Sequence, residues 1–185
     1  RFEVLKNTTY SFSAMLTVFL VGLAVGSAVM AARVNRVPDP VRLYGLVQVL
    51  TGLAGALSLF LLLSVVGGLQ IGDAIGADGR LRWTVATANV FLRTGVTILL
   101  PTFLMGLAFP IAARICVRHL RSVGSGVGRL YAFNTVGAIV GSFVTGFLLI
   151  PAFGLARGMV LLGVGYVALG VLVLVANPGE SRARR

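Results

Sequence analysis

Few side chains in this sequence have the type and spacing to do chemistry. The single cysteine, Cys116, and the single histidine, His119, lie in the basic stretch Arg114-Ile-Cys-Val-Arg-His-Leu-Arg121. One thiol and one imidazole without several carboxylates beside them do not build a zinc site, and one cysteine makes no disulfide within the chain. The five acidic residues all fall outside the apolar runs, so no carboxylate pair is arranged for acid–base work. No glycine-rich phosphate loop follows a strand, and no nucleophile stands beside a base. No catalytic residue, cofactor site or metal site is therefore expected in this segment. The polar groups that do fall inside apolar runs are Gln48, Asn89, Arg93 and the pair Asn134-Thr135. An arginine in such a run either snorkels to the headgroups or pairs with an anion inside a bundle. No acid lies in the runs to meet it, which favours the headgroups. Asn134 and Thr135 suit an interhelical hydrogen bond worth about 1 kcal/mol.

The elements that must position these groups are too apolar for a water-soluble fold. Hydrophobic residues make up 57% of the 185 and charged residues 11%, against about 25% charged in soluble domains. The mean hydropathy is +0.98. A membrane span needs about 20 apolar residues to cross some 30 Å of hydrocarbon. Five runs qualify, at residues 10–32, 43–66, 85–113, 130–153 and 158–176. The fold class is thus an all-α integral membrane protein with about five transmembrane helices. The third run, with its flank from Thr84, is too long for an untilted helix. Pro101 and Pro110 interrupt its backbone donors and predict a kink. Tyr10, Tyr44, Trp83 and Tyr131 fall near span ends, as an aromatic belt would.

The net charge of +11 is distributed by loop. Segments 33–42, 114–129 and the tail hold ten Lys and Arg residues, the alternating segments hold five, and Arg93 is left over. The positive-inside rule places the rich set and the C-terminus in the cytoplasm. Residues 1–9 then form an extracytoplasmic segment and 177–185 a cytoplasmic basic tail. Nucleic acid is not expected as a partner, because no basic stripe is interleaved with exposed aromatics. The chain begins at Arg1 and has no secretory signal, so a longer parent and a sixth span upstream are expected.

Glycines cluster at helical spacing. Gly22, Gly26 and Ser27 form one small-residue face, Gly137, Gly141, Ser142 and Gly146 another, and Gly52 with Ala56 a third. Small residues four apart let helix backbones approach closely, so Gly141→Leu is expected to block assembly by a clash between helices. The first and fourth runs also share a start, Tyr10-Ser-Phe-Ser13 and Tyr131-Ala-Phe-Asn134. They cross in opposite senses, as a 3+3 inverted repeat requires.

Three stretches carry a family resemblance: Tyr10 to Ser27, Leu100-Pro-Thr-Phe-Leu-Met-Gly-Leu-Ala-Phe-Pro110, and Gly128-Arg-Leu-Tyr-Ala-Phe-Asn-Thr-Val-Gly-Ala-Ile-Val-Gly-Ser142 running on to Pro151. In order and spacing they resemble the membrane region of bacterial fused spermidine-synthase-like proteins. The resemblance implies the bacterial inner membrane, with a cytoplasmic aminopropyltransferase-like domain following the helices. That domain would use decarboxylated S-adenosylmethionine and a diamine; its cofactor loop and acidic residues have no counterpart here. A weaker similarity is to half of a major facilitator transporter, whose loop between helices two and three resembles Gly26 to Asp39. That family's Asp-Arg pair is Asn35-Arg36 here. The leading expectation is a membrane anchor or scaffold region in the lipid bilayer. The alternatives are an accessory subunit of a larger membrane complex, or homo-oligomer, and a half-transporter for a small solute such as a polyamine.

Overall fold

The computed structural model describes residues 9–64, 83–116 and 123–177. Residues 1–8, residues 65–82, the stretch 117–122 with His119 and the residues from 178 lie outside the described residues. Every regular element described is helical. Helix α1 is Thr9–Ala31, a 3₁₀ turn is Val34–Arg36, α2 is Pro40–Ser64 and α3 is Trp83–Cys116. Helix α4 is Val123–Phe143, a π-helical segment is Val144–Leu149, and α5 is Ile150–Ala176.

Among the described residues, four helical stretches are long and apolar enough to cross a membrane, where the sequence predicts about five. The difference lies in the last stretch, Gly126–Ala176, which runs for 51 residues. At 1.5 Å per residue that is about 76 Å, more than twice a hydrocarbon core. Its one non-helical residue is Gly154, at φ 78° and ψ 166°. The short connector Gly154 to Arg157 has no room for a loop, so one glycine in a backbone region closed to other residues makes the break. The π-helical segment just before has a local cause in Pro151. A proline lacks the N–H for the carbonyl four residues back and its ring crowds that carbonyl, so the turn widens to the i+5 pattern.

Helix α2 starts at Pro40, three residues before the apolar run at Leu43. The Asp39 carboxylate accepts the Arg42 N–H at 3.0 Å, capping a donor with no intrahelical partner, and proline is well suited to the first helical turn. The Arg114 guanidinium donates to the Val34 carbonyl, tying the 3₁₀ turn to the end of α3. Asp39→Ala is expected to cost about 1 kcal/mol and to lower the melting temperature in detergent by about 2–4 °C; an unchanged temperature would remove Asp39 as a cap.

Packing follows chain direction. Helices α1 and α3 run parallel, since Gly22 meets Leu99 and Thr102 while Gly26 meets Phe103 and Gly106. Helices α2 and α5 run antiparallel, with Gly45 against Gly170 and Gly52 against Gly163. Helix α3 packs on both α1 and α2, which have little or no direct contact with each other. A small core of Met30, Val34, Val47 and Ile111 closes the arginine-rich end. Elsewhere α1, α2 and α3 each bury one strip, α5 buries only Gly158 and Gly170, α4 buries no described residue, and apolar side chains are left outward, with Phe133 71% and Val175 72% exposed. Helices that are apolar all round are solvated by hydrocarbon, because burying one such side chain is worth about 1.5–3 kcal/mol and these remain uncovered.

Candidate functional site

Polar side chains inside the helices gather on the seam between α2 and α3. Tyr44, Gln48, Thr51 and Ser58 are spaced by four, three and seven residues, which places them on one strip of α2. Gln48, Thr51 and Ser58 are buried, as are Asn89 and Thr97 on α3. Gln48 Nε2 donates to the Tyr44 hydroxyl at 2.9 Å, and Thr51 Oγ1 donates to the Val47 carbonyl at 2.7 Å.

The contact across the seam has a cause in the sequence. Pro101 has no N–H, so the Thr97 carbonyl four residues earlier loses its helical donor. Ser58 Oγ, on α2, donates to that carbonyl at 2.6 Å. A mid-helix proline and a facing hydroxyl thus solve one another's problem, since an unpaired buried carbonyl costs about 1–3 kcal/mol. Ser58→Ala is expected to destabilise the bundle by about 1–2 kcal/mol. In a Pro101→Ala background, where residue 101 regains its N–H, most of that penalty should vanish. Equal penalties in the two backgrounds, measured by a double-mutant cycle in detergent, would break the link.

Arg93 is four residues from both Asn89 and Thr97, so it lies on the α2-facing strip of α3. It is half-buried, and its backbone carbonyl accepts the Thr97 hydroxyl at 2.9 Å. It also stands 21 residues before Arg114, about 31 Å along the helix at 1.5 Å per residue. That distance matches the hydrocarbon thickness.

Asn134 and Thr135 are exposed on α4 and are not brought together with Arg93. The small-residue faces divide in two. A methyl added at Gly22 would lie 3.0 Å from Thr102 Cβ, and one at Gly26 would fall on the Phe103 carbonyl and 3.2 Å from Gly106 Cα. One at Gly106 would lie 3.0 Å from the Ser27 nitrogen, which puts Ser27 in the same close approach. Methyls at Gly137, Gly141 and Gly146 would meet nothing within 4 Å. Gly141→Leu therefore meets no clash among the described residues of this chain, and any clash must come from another helix. The sequence reading missed Gly45, Gly106, Gly163 and Gly170. The signal available was the spacing of seven shared by Gly45/Gly52 and Gly163/Gly170, two facing pairs on one interface.

The seam can hold helices together; its donors answer main-chain and side-chain acceptors within the bundle. Among the described residues, no three His, Cys, Asp or Glu side chains gather as metal ligands, and Cys116 is exposed. A groove of about 470 Å³ opens between α1 and α3, lined by Val21, Val25, Val96, Leu99, Leu100 and Phe103 among others. Its wholly apolar walls suit lipid tails.

Among curated proteins the chain is similar to Polyamine aminopropyltransferase 1 of Streptomyces coelicolor, at 26% identity over 173 residues. The match covers 93% of this chain and 29% of that relative. The chain thus spans less than a third of the relative's length. No protein-family model matches the chain, and no solved structure matches it.

Proposed function

We propose that this chain is the membrane-embedded anchor and scaffold region of a spermidine-synthase-like protein. It would hold an aminopropyltransferase-like domain at the cytoplasmic face of a bacterial inner membrane. The single observation that carries the reading is the match to Polyamine aminopropyltransferase 1, which takes in nearly all of this chain but only a small part of the relative. Helices solvated by hydrocarbon and a polar seam engaged within the bundle support a role in holding rather than reacting. Decarboxylated S-adenosylmethionine and a polyamine substrate would bind in the further domain.

In this reading Gly154 divides the last stretch into two spans, giving five here, and these are five of the six helices of a 3+3 inverted repeat whose remaining helix lies upstream. The contacts support this. In the α2–α5 interface, adding 118 to Gly45 and Gly52 gives Gly163 and Gly170, so the pairs Gly45–Gly170 and Gly52–Gly163 exchange into one another. An interface that maps onto itself is what a two-fold axis in the membrane plane produces. The uncovered face of α4 also leaves room for the reading as a subunit of a larger membrane assembly.

The test is to express the natural polypeptide with and without its membrane region, residues 1–185 together with any apolar segment upstream of them, and to assay both membrane retention and aminopropyl transfer from decarboxylated S-adenosylmethionine. The expected result is that the truncated protein leaves the membrane and keeps its transfer activity. Retention in the membrane without the segment, or no transfer by the intact protein, would overturn the proposal.

A further inference from the structure

Helix α4 is the one element that the bundle does not use. From Ala132 to Phe143 every residue is exposed, and the Phe109–Tyr131 ring contact, 5.3 Å between centroids, joins α4 to α3 near the arginine-rich end. Helices α4 and α5 are consecutive, yet they do not pack side by side. The same is true of α1 and α2, and there the reason is visible: α3 lies between them. It packs parallel to α1 through Gly22, Gly26 and Gly106, and antiparallel to α2 through Ser58 and Thr97. The two splayed pairs correspond. Gly22-Leu-Ala-Val-Gly26-Ser27 on α1 is repeated as Gly137-Ala-Ile-Val-Gly141-Ser142 on α4, and α2 corresponds to α5 through the offset of 118. The first splayed pair is filled, and nothing described fills the second.

We propose that the space between α4 and α5 seats one further transmembrane helix, the counterpart of α3, contributed by the same polypeptide upstream of α1. It crosses α4 at Gly137 and Gly141 with a small residue of its own, as α3 crosses α1 with Gly106. Direction selects this occupant. The counterpart of α3 must run parallel to α4, as α3 runs parallel to α1. Helix α4 starts at the arginine-rich end, so the incoming helix ends at the opposite end, where α1 begins. A helix with that sense connects directly to α1. Docking there also continues the α2–α5 interface into a closed bundle and covers the glycine face of α4, which otherwise has no packing role.

The inference rests on the inverted-repeat reading above, and one experiment distinguishes their failures. In the full natural polypeptide, Val140 on α4 is replaced by p-benzoylphenylalanine, irradiated in native membranes, and the cross-linked peptide is identified by mass spectrometry. The expected product keeps the mass of one chain and joins Val140 to an apolar segment upstream of Arg1. Adding Gly141→Leu should reduce that product at least tenfold, while Gly55→Leu, which points into open space on α2, should leave it intact. A product of doubled mass would assign the face to a second copy, and one with a foreign protein to an accessory subunit; either overturns the inference. An upstream helix that cross-links elsewhere overturns the docking alone. No apolar segment upstream of α1 overturns the repeat as well.

Discussion

Gly26→Leu is expected to abolish recovery of a folded, monodisperse protein from mild detergent. The Cβ that leucine adds would fall on the Phe103 carbonyl of α3 and close against Gly106 Cα. Both are main-chain atoms of a packed helix, so no side chain can rotate away. Helices α1 and α3 must separate by roughly the width of a side chain, which removes the dispersion contact that holds helices together in lipid. Overpacking usually costs about 1–3 kcal/mol; with backbone on the far side, the cost should reach about 3 kcal/mol or more. Gly95→Leu is the control. It sits on α3 with nothing within 4 Å of its added Cβ, and replacing a helical glycine improves helix propensity. Comparable loss in both variants, read by size-exclusion profile and thermal melting, would show that the seam does not depend on close approach at Gly26.

The second large effect is predicted for Gly170→Leu. A methyl there would lie 2.6 Å from the Gly45 carbonyl oxygen and 2.7 Å from the Val49 nitrogen. This interface is the main attachment of α5 to the rest of the bundle, so its loss would release α5 rather than loosen one contact. The expected readout is rapid cleavage in detergent by added protease near Gly154, the residue at which the helical path already breaks. Gly165→Leu, which meets open space on the same helix, should resist protease like the parent. Equal protease resistance of Gly170→Leu and the parent would mean that α5 is held elsewhere.

Much of the helical frame was legible because apolar run length is set by bilayer thickness and needs no partner to be read. The first three runs became α1, α2 and α3, with Asp39 and Pro40 setting the start of α2. The last two runs were harder. A single glycine at positive φ separates them, and glycine frequency alone gives no such angle. The glycine faces were legible as small-residue patterns, but a pattern does not name its partner. Gly22 and Gly26 meet α3, while the similar pattern at Gly137 and Gly141 meets nothing among the described residues. The polar seam was legible only in part. Gln48 and Asn89 stood out as polar groups in apolar runs, whereas Ser58 became meaningful only beside Pro101, 43 residues away in sequence. Arg93 stood out as a charge in an apolar run, but only the structure shows that its helix position, four residues from both Asn89 and Thr97, faces the seam.

The central claim is that the medium around these helices is lipid. The direct measurement is to wash membranes carrying the protein with alkaline carbonate, then follow its particle size as detergent is withdrawn. The account predicts that the protein stays with the membranes through the wash and precipitates once detergent falls below its micelle concentration. Release by carbonate, followed by a single monodisperse species in plain buffer, would contradict it.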